Sequence, residues 1–284
     1  MHERIPLQSE NVSLESLRIQ SEMISLESFN PSQAFKALTD RIPGYVNAVK
    51  TFFGNILDPV HAPVALVDGV ASAKALQSLK YMDIRSNEVF VPTGLKVTYL
   101  QYLTALKDAE QVAEKLISET LSPLSMFLAL ALSEPARLQS LRGMSIPNFR
   151  IHDIDKPKQA ISNCFDRNGT VARVPLGQAL ARLTDWPEVV KEINELNTRF
   201  NRTSRQEVLR LVNEVTELLD RLVDRSTQEP DTYALSGANL GLLSKLCYNV
   251  AREIEFYSLF AYQLQLATIA ITDTGKLIEN KFVE

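Results

Sequence analysis

The sequence predicts a mostly all-α protein, a long-helix bundle with a small irregular or hairpin insert around residues 145–176. Three observations lead there. Apolar residues recur at steps of three and four along most of the chain, the period that lines them up on one face of a helix. Glycine is scarce, 10 in 284 residues, too few for the tight turns that a sandwich or barrel of short strands requires. Turn-forming residues instead gather in one stretch, where Pro147, Pro157, Gly169 and Pro175 punctuate residues 143–176. The implied organisation is a polar N-terminal arm (1–30), a helical N-terminal half (31–142), the irregular insert (143–176) and a C-terminal helical bundle (177–284).

The arm is rich in Ser, Glu and Gln and contains SLES twice, at Ser13–Ser16 and Ser25–Ser28. It reads as a short helix or as an extended arm, because few large apolar groups are present to offset the entropy of ordering. Residues 32–58 read as a helix capped by Ser32, broken or kinked at Pro43–Gly44 and ended by Asp58–Pro59. Val70–Leu79 is a shorter helix. Glu88–Val91 reads as extended. Leu95–Leu121 then reads as a long helix, and Ser122–Pro123 as the start of another, since Ser caps well and Pro suits a first turn.

In the insert, Asn168–Gly169 is a hairpin turn signal flanked by Cys164–Phe165 and Thr170–Val171. Asp185 is placed to cap a helix over Trp186–Phe200. Thr203–Ser204 opens another, whose stripe runs through Val208, Leu211, Val212, Val215, Leu218, Leu219 and Leu222. The last helix, over residues 237–272, carries a heptad seam of Leu240, Leu243, Cys247, Val250, Ile254, Tyr257, Ala261, Leu264, Thr268 and Ile271. It would be about 54 Å long at 1.5 Å per residue. Beyond Glu255 its other faces also turn apolar through Phe256, Leu259, Phe260, Leu266 and Ile269. Such a helix must be covered on most sides, by further helices of this chain or by another subunit. Leu243, Val250, Ile254, Tyr257, Phe260 and Leu264 are therefore the expected core or interface residues. The stripe at Val208–Leu222 is the expected antiparallel partner, across a loop at Gln228–Asp231.

Composition narrows the function. The hydrophobic share of 45% and the charged share of 23% are those of an ordinary globular protein. A net charge of −4 and a pI near 5.6 argue against a nucleic-acid-coating protein, whose affinity would come from neutralising phosphates. No specific nucleic-acid binding is expected. The two cysteines, Cys164 and Cys247, indicate no disulfide framework and fit a reducing compartment. Residues 1–12 lack the apolar run of a secretory signal. The best membrane candidate, Phe256–Thr272, is interrupted by Ser258, Gln263, Gln265, Thr268 and Thr272. It reads as a buried helix, so no membrane span is expected.

No motif imposes a chemistry. There is no GxSxG elbow, P-loop, GxGxxG, HExxH or zinc spacing. Of the three histidines, His2 lies in the arm and His61 between prolines. His152 opens His152–Asp153–Ile154–Asp155, which reads either as a metal-binding cluster or as a polar loop; no second histidine or cysteine stands at ligand spacing. Glu192, Glu195, Glu214 and Glu217 resemble the carboxylates of a di-metal bundle, but the Glu-x-x-His such sites need is absent, which leaves a solvated face. Trp186 reads as a binding anchor or as the packing of a helix start. No cofactor, metal or catalytic residue is expected.

A Ser/Glu-rich arm ahead of a helical body resembles the virion proteins of large tailed bacteriophages, especially internal head proteins. The resemblance is carried by the arm alone. It implies trimming by a prohead protease after a small residue, any residue and Glu. Ser13–Leu14–Glu15 and Ser25–Leu26–Glu27 match, which makes Glu15 and Glu27 the processing positions. Ser86–Asn87–Glu88 and Ala251–Arg252–Glu253 also match, the latter inside a helix. The resemblance implies a non-enzymatic structural protein of the virion head. It would assemble in the host cytoplasm with other virion proteins or with itself. The alternative is a phage-encoded intracellular factor that binds another protein during infection.

Overall fold

The computed structural model describes residues 88–92, 94–136, 150–166, 171–175, 185–200, 202–229, 232–233 and 237–282. The arm, the helices expected at 32–58 and Val70–Leu79, and the processing positions Glu15 and Glu27 lie outside these. Of the described part, 80% is helical, so the chain is mostly all-α, as its periodicity requires. The elements are β1 (Glu88–Pro92), α1 (Tyr99–Lys115), a π-helical turn (Leu116–Leu121), α2 (Ser122–Ser133), α3 (Asp155–Ser162), β2 (Val171–Pro175), α4 (Trp186–Arg199), α5 (Arg202–Gln228) and α6 (Gly237–Phe282).

Helix α1 starts at Tyr99 rather than at Leu95, and a capping box sets the boundary. The Thr98 hydroxyl accepts from the Gln101 amide, and the Gln101 side chain accepts from the Thr98 amide at 3.0 Å. Leu95 instead forms an isolated antiparallel bridge with Phe165. The face of α1 that carries Tyr99, Tyr102, Leu103, Leu106, Ala109 and Ala113 is buried.

The α-helix expected from Ser122–Pro123 is present as α2, with Pro123 in its first turn, but it follows the π turn without a break. Helix continues unbroken over Tyr99–Ser133, and Ser122 makes no cap. Proline lacks the N–H that would bond to the carbonyl four residues back, and its ring would strike that carbonyl. The wider winding of Leu116–Leu121 relieves the clash: the Ser122 amide bonds to the Ile117 carbonyl, five residues back.

The insert holds α3 and one strand. Its strand does not fold back on Cys164–Phe165 as a local hairpin. β2 pairs antiparallel with β1, from Glu88 opposite Pro175 to Pro92 opposite Val171, and Cys164–Phe165 dock beside Leu95–Lys96. Val89 and Val91 of β1 are buried on the alternate positions that face inward, and Asn168–Gly169 lies outside the described residues. β1 in turn packs on α6.

Helix α4 follows Asp185, which sits in the left-handed region at φ 56° and makes no side-chain cap. Its carbonyl closes the first turn instead, accepting from the amides of Glu188 and Val189. Trp186 is buried at the helix start, which agrees with a packing role. The α5 stripe from Val208 to Leu222 is buried as expected, but its partner is not α6. α5 packs on α2 and the π turn. The Ser125 hydroxyl donates to Glu214 at 2.5 Å, and the Tyr233 hydroxyl to the Leu132 carbonyl at 3.1 Å. α5 has one apolar face to offer, and α2, whose sequence SPLSMFLALALS carries no charge, takes it.

Helix α6 runs ten residues past the expected end at 272, to Phe282, a span of 46 residues and about 69 Å. Its seam positions Val250, Ile254, Tyr257, Ala261, Leu264, Thr268 and Ile271 are all buried. So are Phe256, Phe260 and Leu266. Cover comes from β1, α1, α4 and the π turn of the same chain. Phe200 closes part of the seam, with ring centroids 4.7 Å from Phe260 and 5.0 Å from Tyr257. One hydrophobic core extends from Val89 to Ile271. The segment Phe256–Thr272 is not the one apolar enough to cross a membrane; among the described residues, Tyr99–Ser133 passes that test, with half of the apolar window buried.

Candidate functional site

The candidate site is the polar cluster built on the π turn. Pro123 leaves the carbonyl of Glu119 without its usual helical donor. The Arg150 amide takes that place, donating to Glu119 O at 2.9 Å. One residue on, the Thr120 hydroxyl, fully buried, lies 2.6 Å from Glu253 Oε2 and 3.2 Å from the Arg150 carbonyl. Its single hydrogen goes to the nearer, charged acceptor, a short contact of the charge-assisted kind. The other Glu253 oxygen accepts from the His152 amide at 3.0 Å.

Glu253 is 4% exposed. A carboxylate is kept there only because both oxygens meet donors. Beside the cluster lies a cleft lined by Leu116, His152, Ile154 and Phe256, too narrow for a water molecule. A strap of residues 150–154 is thus laid across the π turn and fastened to α6. His152 adds its ring, with Nε2 3.7 Å from Glu119 Oε2. Past the strap, Arg252 binds Asp155 at 2.7 Å and Lys158 binds Glu255 at 3.3 Å, holding α3 to α6.

The side chains of His152–Asp153–Ile154–Asp155 turn to separate partners. Asp153 accepts from the Asp155 amide, and Asp155 turns to Arg252, so neither carboxylate joins the His152 ring. Among the described residues, no group of three or more His, Cys, Asp or Glu side chains is arranged to hold a metal. Nor do the four glutamates converge. Glu192 pairs with Lys107 of α1 at 2.9 Å, while Glu214 is shared between Ser125 and Arg210.

A second polar seam joins α1 to α4. Glu110, 4% exposed, lies 3.3 Å from Arg199 Nε. Loss of water raises the Glu110 carboxyl above its ordinary range, and Arg199 offsets this only in part. The ionised group therefore costs stability at neutral pH. Glu110→Gln is expected to leave the melting temperature unchanged or higher at pH 7. The difference from wild type should shrink as pH falls, because the wild-type carboxyl then takes up its proton and the cost vanishes. Thermal melts across that range check both parts; a large loss at neutral pH would mean that Arg199 dominates. Elsewhere the Tyr102 hydroxyl, held in its neutral form by burial, donates to Gln263 on α6, and Asn197 donates to Thr268 at 3.0 Å.

The expected seam residues Val250, Ile254, Tyr257, Phe260 and Leu264 all lie in this core, and Leu243 lies on α6 ahead of it. The sequence reading missed Glu253, Thr120 and Arg150. A signal was present: Glu253 stands three, four and seven residues before Phe256, Tyr257 and Phe260, on the stripe that those aromatics bury. No family model, curated protein or solved structure matches this chain.

Proposed function

We propose that this chain is a non-enzymatic structural protein of a large tailed bacteriophage head, one that assembles through its helix surfaces. The observation that carries the assembly part is a short apolar edge of α2 that no described residue covers. Met126 is 72% exposed. Ala129 is exposed and Leu130 half-buried, three and four residues on along the same face. The opposite side of the helix is packed against α5. Exposed apolar groups on a packed helix suit contact with another protein. The virion part rests on the arm and its two Ser-Leu-Glu matches. A phage-encoded factor that binds a host or phage protein in the infected cell would use the same surface and stands as the second reading.

Mass spectrometry of purified particles separates the two. The proposal expects this chain in stoichiometric amounts, beginning at Ser16 or Ser28 after cleavage behind Glu15 or Glu27. Abundance in infected cells with absence from particles would overturn it in favour of the second reading. An uncut N-terminus in mature particles would remove the processing step alone. Met126→Glu is expected to lower incorporation into particles severalfold while changing stability by no more than about 0.5 kcal/mol, as an exposed substitution does.

A further inference from the structure

The strap crosses the π turn on contacts of two kinds. The Arg150 amide on Glu119 O, the His152 amide on Glu253 and the Thr120 hydroxyl on the same carboxylate need no change in imidazole charge. The His152 ring is different. Its Nε2 is buried and has no hydrogen-bond partner, yet it faces Glu119 Oε2 at 3.7 Å. With one ring proton the imidazole is neutral and brings no charge to the carboxylate. With two, both ring nitrogens are donors and the contact becomes a charge pair.

We propose that residues 150–154 are a proton-operated latch: protonation of His152 closes the strap on Glu119, and loss of that proton loosens it from the π turn. The charged groups around the ring support this sign. The π turn contributes Glu119 and α6 contributes Glu253, both carboxylates. The strap contributes Arg150, which reaches the same Glu119 oxygen at 3.8 Å but is 75% exposed and so is the weaker, screened competitor. Asp153 is occupied with the Asp155 amide, and Asp155 of α3 with Arg252. α1 faces the ring with Val112 and Ala113, which carry no charge. The latch is closed while the ring carries both protons and Glu119 is ionised, and looser once the ring gives up one of them. Loosening uncovers the Glu119 carbonyl, which Pro123 leaves without a helical donor, and gives the π turn a second arrangement to adopt.

Amide hydrogen exchange on the intact wild-type chain reads this directly, with rates corrected for intrinsic pH dependence. The Arg150 and His152 amides should be about threefold better protected near pH 5.5 than near pH 7.5, the scale of one partly exposed charge pair. The Phe200 amide, bonded to Leu196 O in α4, is the reference and should show no change. His152→Gln and Glu119→Gln should each abolish the difference, and Glu119 stands at the rim, where a neutral isostere is tolerated. Equal protection of the strap at both pH values in wild type would overturn the latch without any variant. So would a difference that persists in either one.

Discussion

Phe260→Glu is expected to yield no cooperatively folded protein. Phe260 is fully buried and stacks edge-on against Phe200 at the crossing of α4 and α6. Removing a buried phenyl ring to Ala already costs about 3–5 kcal/mol through lost transfer energy and the cavity left behind. Glu adds an uncompensated carboxylate, worth several kcal/mol more in desolvation. The sum is comparable to the roughly 5–15 kcal/mol that holds a typical domain together. Circular dichroism should therefore show no melting transition for Phe260→Glu and a lowered one for Phe260→Ala. Ile254→Ala should fall in the same class, at about 2–5 kcal/mol. Glu255→Ala is the control. Its side chain is 45% exposed and its partner Lys158 is 39% exposed, so about 1 kcal/mol or less is at stake. A folded Phe260→Glu that loses only self-association would instead place the residue at a subunit interface, contrary to the cover that Phe200 provides.

The parts of the fold readable from sequence are those where one physical signal acts alone. The seam from Val250 to Ile271 and the stripe from Val208 to Leu222 are pure helical periodicity, and each is buried as its spacing requires. Partner choice was not readable, because two apolar stripes match any third. α5 went to α2, and α6 was covered from several sides. Asn168–Gly169 lies outside the described residues, and β2 beyond it pairs with residues 88–92, a partner more than seventy residues away that local turn chemistry does not reveal. At Ser122–Pro123 two readings share one dipeptide: a helix start, or a proline absorbed by a π turn inside a continuing helix. Local propensity favours the first. The second is chosen by distant groups, since the Glu119 carbonyl finds the Arg150 amide and Thr120 finds Glu253. The candidate site is for that reason the least legible feature of the chain: its members lie at 119–120, 150–152 and 253 and meet only in the fold.

Glu253→Ala is expected to cost about 3 kcal/mol, more than its loss of apolar contact would suggest. The carboxylate serves two donors at once, the Thr120 hydroxyl at 2.6 Å and the His152 amide at 3.0 Å. A buried donor left without an acceptor costs about 1–3 kcal/mol. Thr120 retains the Arg150 carbonyl at 3.2 Å as a fallback, whereas the His152 amide has no second acceptor among the described residues. Glu253→Gln should be much milder, about 1 kcal/mol, the net worth of one ordinary hydrogen bond. It keeps an acceptor for His152 and offers Thr120 an N–H, freeing the hydroxyl hydrogen for the Arg150 carbonyl. Urea unfolding measures the ranking, and amide exchange locates it: Glu253→Ala should expose the His152 amide first and leave α4 protected. If Ala and Gln cost the same, the carboxylate is not what fastens the strap. If both cost less than about 0.5 kcal/mol, the cluster is a solvated surface network of the ordinary kind, and the π turn would owe its shape to Pro123 and the core side chains around Leu116 and Leu121.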